Sequence, residues 1–330
     1  MFLRRLCYPL LQSIAISQGQ CRTSWGKLAE AMELIAGIDA GGTTFKCGVF
    51  TLGGELLARR RIPTRSPEAT VEACMTFLNE EALARGQALA GIGIACFGPL
   101  DLSHSSASYG SILNTPKAGW SGYPILDRFK TAFDGPVHIE TDVNAALLAE
   151  MASGAARSVG SAAYITVGTG VGAGIFLNGG LVGRPSHPEF GHIRISRRPD
   201  DAAFAGACPY HRDCLEGLAS AHAFSLRFGS PEDLRPDHAG WDLEAYYLAQ
   251  ACQTLTLTCR PQRIVIGGGL LQASHLLPRI HAHVLELMNA YLAYTEHDVI
   301  EQIVLAELGE DAGLFGAARL VTNASVGRAP

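Results

Sequence analysis

Three groups of residues in this chain have the types and spacing that chemistry requires. The first is Ile38-Asp39-Ala40-Gly41-Gly42-Thr43-Thr44-Phe45-Lys46, set between the apolar runs 34–38 and 47–50. It predicts two strands joined by a tight turn, with Gly41 and Gly42 free to take positive φ. Such a turn lines up backbone N–H groups as a cradle for phosphate oxygens. Asp39, ending the incoming strand, is placed to hold Mg²⁺ directly or through water. An ordinary glycine hairpin has the same signature, so the weight comes from later segments that fit the same site. The second group is Cys208-x-x-His211-x-x-Cys214. Two thiolates and an imidazole at this spacing can reach one tetrahedral Zn²⁺, and a closed structural site needs a fourth protein ligand. The third is Thr141-Asp142, just before the small and apolar residues Asn144 to Ala152. A carboxylate there can orient a hydroxyl and take its proton, although Thr or Asp before a helix is also a common N-cap.

The elements that must position these groups follow from periodicity and turn signals. Strands are predicted over 34–38, 47–52 and 55–62, with a second turn at Gly53-Gly54. Residues 67–85 have helical apolar spacing at Val71, Cys74, Met75, Leu78, Ala82 and Leu83. A strand over 90–96, a helix near 122–133, a strand over 137–140 and a helix over 144–152 complete a first lobe, 34–152. Ser, Gly and Ala dominate 153–160, a natural boundary. A second strand-glycine-strand unit then begins at Ala163, with Gly168-Thr169-Gly170-Val171-Gly172 as its turn. It mirrors the first and predicts an internal duplication. A polar loop over 199–214, a helix over 241–259, a strand over 263–266 running into Gly267-Gly268-Gly269, a helix over 274–292, a strand over 300–306 and a Gly/Ala-rich helix over 309–320 fill the second lobe, 153–330. Lys46 reads as a solvated strand residue without a role.

Composition narrows the function classes. At 330 residues, two domains are expected. With 26 Lys+Arg against 31 Asp+Glu and no basic patch beyond Arg59-Arg60-Arg61, no nucleic-acid partner is expected. No apolar run reaches the roughly 18–20 residues of a membrane span. Nine scattered cysteines fit a reducing compartment, hence the cytoplasm. Residues 1–33 stand apart: Arg4, Arg5, Arg22 and Lys27 occur with no acid before Glu30. That composition suits a transit peptide, but an upstream start with Met32 as the true first residue is the preferred reading.

Six motifs carry a family resemblance: GIDAGGTTFKCGVF (37–50), FGPLDL (97–102), NTPKAGW (114–120), TDVNAALLAE (141–150), VGTGVGAGIFLNGGLVGRPSHPEFGHI (167–193) and CPYHRDCLEGLAS (208–220). Over about 34–320 the chain resembles the sugar kinase/actin/Hsp70 ATPase superfamily, and within it the Repressor-ORF-Kinase (ROK) family, most of all its bacterial fructokinases. The resemblance implies an α/β fold of two ribonuclease-H-like lobes, a zinc-stabilised loop at 192–214, and hinge-lining helices after Asp142 and at 311–320. It implies Mg-ATP bound by Asp39, Gly41, Gly42, Thr43, Thr44, Thr169, Gly170, Gly267, Gly268 and Gly269. Asp142 would be the general base for in-line transfer to a sugar hydroxyl. His192 would be the fourth ligand beside Cys208, His211 and Cys214 of a structural zinc. Gly98, Asn114, Thr141, Glu189, His192 and Glu216 would line the sugar pocket. Many members have asparagine where this chain has Thr141, a difference that bears on the sugar contact and not on the base.

The activity implied is ATP-dependent phosphorylation of a hexose, with fructose at O6 first, glucose next, and mannose or N-acetylmannosamine behind it. A homodimer is also implied. Two other classes compete. A sugar-responsive ROK regulator would need a DNA-binding helix-turn-helix in front of residue 34, where only 33 residues without a basic surface stand. A dehydrogenase could use the G-x-G-x-x-A match at 168–173, provided that a long helix follows it.

Overall fold

The structure is a computed structural model that describes residues 33–325. The extension expected at 1–33 lies outside the described residues except for Glu33, as does the helix-turn-helix question. Two five-stranded sheets form the frame. The first joins β1 (Glu33–Ala40), β2 (Thr44–Thr51), β3 (Leu56–Pro63), β4 (Ala88–Cys96) and β5 (Val137–Thr141) in the order β3-β2-β1-β4-β5. The second joins β6 (Ala162–Val167), β7 (Val171–Leu177), β8 (Gly180–Leu181), β9 (Arg263–Gly267) and β10 (Ile303–Leu305) in the order β10-β9-β6-β7-β8. In each, the first three strands are antiparallel neighbours and the last two are parallel additions on the other side. The same topology occurs twice, as the repeated glycine turn predicts. The central strands β1 and β4 are apolar on both faces because helices cover both.

The helices follow the same plan. In the first half they are α1 (Pro67–Arg85), α2 (Ile125–Ala132) and α3 (Asp142–Ser153). In the second they are α4 (Leu215–Ala219), α5 (Ala221–Phe228), α6 (Ala239–Thr258), α7 (Leu276–Met288), α8 (Glu296–Gln302) and α9 (Ala312–Ser325). Proline at the start of α1 and Gly86 at φ +63 after it make the boundaries that the sequence signalled.

The closing helix of each half crosses to the other half's sheet. Val143 and Asn144 of α3 press on β7, where a Cβ at Gly174 would lie 2.7 Å from Asn144 Oδ1. In return α9 lies on β1 and β4: a Cβ at Gly37 would meet the Leu314 carbonyl at 2.7 Å, and one at Gly93 would collide with the Ala317 carbonyl. The two helices touch backbone to backbone, Gly316 against Ala145. α9 thus packs on the first sheet and against α3, the position between the halves that the family resemblance implies for it.

Three element expectations need correction. The strand expected over 300–306 is only Ile303–Leu305, because Thr295 and Asp298 form a capping box that starts a helix reaching Gln302. The helix expected to 292 stops at Met288, where Asn289 turns left-handed at φ 45. Two short helices, α4 and α5, stand where no element was anticipated; Ser220 caps α5 by accepting from Ala223 N.

Candidate active site

Two glycine hairpins, one from each sheet, and one glycine turn are the candidate nucleotide-binding segments. In the first, Ala40 pairs with Phe45 and Gly41 N donates to the Thr44 carbonyl at 3.2 Å. Neither Gly41 nor Gly42 takes positive φ, contrary to expectation. Glycine is needed at 41 for space, because a Cβ would lie 2.8 Å from the Thr44 oxygen, while the site of a Cβ on Gly42 is open. Thr64 anchors the hairpin by donating through Oγ1 to the Gly41 carbonyl at 2.8 Å and through N to that of Thr43 at 2.9 Å. Gly42 and Thr43 are exposed at the tip and Thr44 is partly covered. The second hairpin repeats the plan between Val167 and Val171, with Gly168 N donating to Gly170 O at 2.9 Å and Thr169 exposed at its tip. The third segment abuts the second. Gly268 turns at φ +102 with its open side against the Val167 carbonyl, as only glycine allows, while Gly267 closes β9 and the Cβ site of Gly269 is open.

Asp142 is the first residue of α3, with the Asp39 and Glu189 carboxylates as its charged neighbours. The capping is done by Thr141, whose Oγ1 accepts from Asn144 N at 3.2 Å. That leaves the Asp142 carboxylate free of the cap; its Oδ1 accepts from Val143 N at 2.8 Å. Burial, then the nearby Asp39 carboxylate, and to a smaller degree Glu189, push the Asp142 carboxyl up to about 7, against the lowering pull of backbone N–H groups. Asp39 is itself raised by burial, an effect opposed by Lys46. Lys46 Nζ lies 3.4 Å from Asp39 Oδ2 and also donates to the Glu310 carbonyl, just before α9. Its side chain is 18% exposed, so it is not the solvated residue expected. Two strand positions facing each other across β1 and β2, Asp39 and Lys46, were its only trace in the sequence.

The other candidate segment is the long connection between β8 and α6. His192 Nδ1 lies 3.7 Å from Cys208 Sγ and 3.5 Å from Cys214 Sγ, and His211 Nδ1 lies 3.9 Å from Cys208 Sγ. The four ligand atoms fall within 4.8 Å of one another. Tetrahedral Zn²⁺ with bonds of roughly 2.3 Å to sulfur and 2.0–2.1 Å to nitrogen needs edges of about 3.3–3.8 Å; the sulfur–nitrogen separations of 3.5, 3.7 and 3.9 Å come close to that, so the donor set is compatible with zinc. Nδ1 of His192 faces the two sulfurs, which leaves Nε2 as its other polar atom. The cluster ties together two segments that carry acids: Glu189 three residues before His192, and Glu216 two residues after Cys214. Glu216 Oε2 accepts from Val171 N at 3.1 Å, which fastens α4 to the second hairpin. Behind α4, Arg227 donates to the Leu218 carbonyl and, at 2.9 Å, to buried Asp201, a buttress with no signal in the sequence.

Gly98 closes the pocket from the first sheet, with its Cβ site 4.0 Å from Glu189 Oε1. Asn114 is not joined to this group: it is exposed, and its Oδ1 accepts from Ser121 Oγ at 3.4 Å. Buried Glu140, unremarked in the sequence, accepts from Thr141 N at 2.9 Å and Asn144 Nδ2 at 3.0 Å, and pairs with Arg184 across the cleft. The G-x-G-x-x-A match at 168–173 is followed by strand β7 rather than a helix, which removes the geometry that a dinucleotide site requires.

The ROK family model matches residues 35–324. The chain is 42% identical over 294 residues to a protein of Bacillus subtilis (strain 168) named provisionally as a fructokinase, covering 88% of this chain and 96% of that one. It is 38% identical over 290 residues to the fructokinase of Zymomonas mobilis subsp. mobilis, covering 87% and 96%. Among solved structures it is similar to a ROK family glucokinase from Streptomyces griseus in complex with glucose and AMPPNP, with a TM-score of 0.71, 25% identity and 87% and 98% coverage. The duplicated sheets are those of a two-lobed, ribonuclease-H-like sugar kinase fold. This chain belongs to the ROK family.

Proposed function

We propose that the protein is an ATP-dependent fructokinase that transfers the γ-phosphoryl group of ATP to O6 of D-fructose. The observation that carries this reading is Asp142, a carboxylate raised to about 7, set on a helix start near the Asp39 and Glu189 carboxylates. Kinship supports the sugar: relatives named fructokinase stand at 42% and 38% identity, against 25% for the glucokinase. In the mechanism, Gly41, Gly42, Thr43 and Thr44 from one side and Thr169 and Gly170 from the other donate to the phosphate oxygens. Gly267, Gly268 and Gly269 receive the nucleoside. Glu189, His192, Glu216, Thr141 and Gly98, with Asn114 drawn in on closure, hold the hexose. Asp142 accepts the hydroxyl proton as the new P–O bond forms and ADP leaves.

Asp39 is the carboxylate to carry Mg²⁺, which supplies neutralisation of the charge on the transferring phosphates. His192, Cys208, His211 and Cys214 would hold a structural zinc, since four protein ligands leave no open position. A cytoplasmic homodimer, as the sequence and its family resemblance imply, is part of the proposal; among the described residues no helix is long and apolar enough to cross a membrane. A coupled ADP assay over a panel of hexoses with Mg-ATP tests the reading. Fructose is expected to give the highest kcat/KM. Absence of turnover with every hexose rejects the kinase assignment, and a preference for glucose rejects only the substrate.

A further inference from the structure

The strap 183–189 belongs by sequence to the second half, yet two of its side chains are seated on the first. Arg184 pairs with buried Glu140 beneath α3. His187, whose side chain is only 7% exposed, places Nε2 3.1 Å from Leu100 N and 3.2 Å from Leu100 O, in the loop after β4. Its other ring nitrogen, Nδ1, lies 3.4 Å from Glu189 Oε1. Its Cε1 stands 3.7 Å from the Cβ site of Gly98, so the ring forms part of the pocket floor. Glu189 contrasts with it: the carboxylate is 52% exposed, and the imidazole is the side chain that meets its Oε1.

We propose that His187 is a positioning residue for the hexose, aiming the Glu189 carboxylate by a hydrogen bond whose far end is fixed to the backbone of the opposite lobe. This rests on the kinase reading above, with Glu189 as a sugar-binding acid. Nε2 faces both Leu100 N and Leu100 O; the tautomer proposed is that in which Nε2 accepts from Leu100 N–H, because only then does Nδ1 carry a proton toward Glu189 Oε1, 3.4 Å away. One imidazole then does two things: it selects a rotamer for an exposed acid, and it registers that acid against the lobe that carries Asp142. A sugar arriving at Glu189 meets it already oriented, so less ordering is charged against binding. Loss of the ring frees the carboxylate and weakens sugar binding without touching the nucleotide loops.

A double-mutant cycle tests this. Fructose Kd by calorimetry, and KM for fructose and for ATP, are measured for the parent, His187→Ala, Glu189→Ala and the double variant. The expected result for His187→Ala is a roughly 10-fold or larger loss in fructose affinity, the scale of one hydrogen bond to a charged group, with KM for ATP within about two-fold. The double variant should bind no worse than Glu189→Ala alone. His187→Gln, which keeps an N–H donor and a carbonyl acceptor, should recover part of the loss. If His187→Ala does not fold, His187→Leu, which fills the space without a ring N–H, carries the same comparison against Glu189→Ala. Unchanged fructose affinity, a parallel rise in KM for ATP, or additive losses in the double variant would each overturn the assignment. Failure of the parent itself to phosphorylate any hexose would overturn the kinase reading and this one together, whereas an active parent with an indifferent His187→Ala removes only this one.

Discussion

The two halves of the molecule share a topology and diverge in one connection. In the first half the chain passes from β3 to α1 through residues 64–66; in the second it wanders through 182–238 between β8 and α6. The short connection leaves a bare hairpin-and-helix unit. The long one carries the Cys/His cluster, His187, Glu189 and Glu216. The helix starts differ as well. α3 begins with Asp142, while the equivalent α9 begins with Ala312-Gly313, and Gly313 leaves room for Asp39: its Cβ site is 2.9 Å from that carboxylate. Under the proposed function, duplication supplies two matching phosphate hairpins, and two asymmetric additions, one acid and one strap, give the site a direction. On this view the nucleotide depends on both halves equally, and the sugar on what only the second half acquired.

The sharpest way to break this contrast is Asp142→Asn. Loss of the base is expected to lower kcat by on the order of 10²–10⁴, with fructose binding retained in calorimetry. The same change should raise stability at neutral pH. The folded-state carboxyl sits at about 7, above its ordinary 3.8, so as pH rises from 3.8 to about 7 the unfolded chain releases this proton while the folded protein keeps it, and stability falls. The amide removes that penalty, and the Tm gain should fade below pH 4; a variant less stable than the parent at pH 8 would contradict the buried-acid account.

Next in size is the strap. Cys208→Ser or a zinc chelator should raise KM for fructose by roughly 10–100-fold, since a zinc ion on this cluster would hold both acid-bearing segments in place, while KM for ATP moves little. Metal content by mass spectrometry and the two KM values decide it, and equal loss for both substrates would dissolve the contrast between halves. The pH profile comes third: kcat/KM should fall about ten-fold per unit as pH drops below about 7, where Asp142 gains its proton. An acid limb centred near 4 would point to another base.

The smallest effects probe the shared frame. Gly316→Ala drives a methyl into the Ala145 carbonyl and should cost about 1–3 kcal/mol in denaturant unfolding, impairing both substrates together. Lys46→Met removes the partner of Asp39 and should change the Mg²⁺ dependence of the rate a few-fold with fructose affinity intact; titration of free Mg²⁺ at fixed ATP reads it.

Local sequence settled a good deal. The hairpins at 38–46 and 163–177, the helix from Pro67 to Arg85 and the duplication are legible because strand period, glycine turns and helix caps are written in neighbouring residues. The metal set is legible for the same reason, since Cys208, His211 and Cys214 share one loop. Where distant segments meet, the sequence is silent. Lys46 looks like any strand lysine until Asp39 and the Glu310 carbonyl stand beside it. His187 looks like a loop histidine until Leu100 approaches from the other lobe. The carboxyl of Asp142 rises only because burial and Asp39 act on it together. The residue types and turns of this protein were fixed by interactions a few positions long. The exchange of closing helices, the approach of His187 to Leu100 and Glu189, and the raised carboxyl of Asp142 arise largely from contacts between residues tens to hundreds of positions apart, and only the packed chain could decide them.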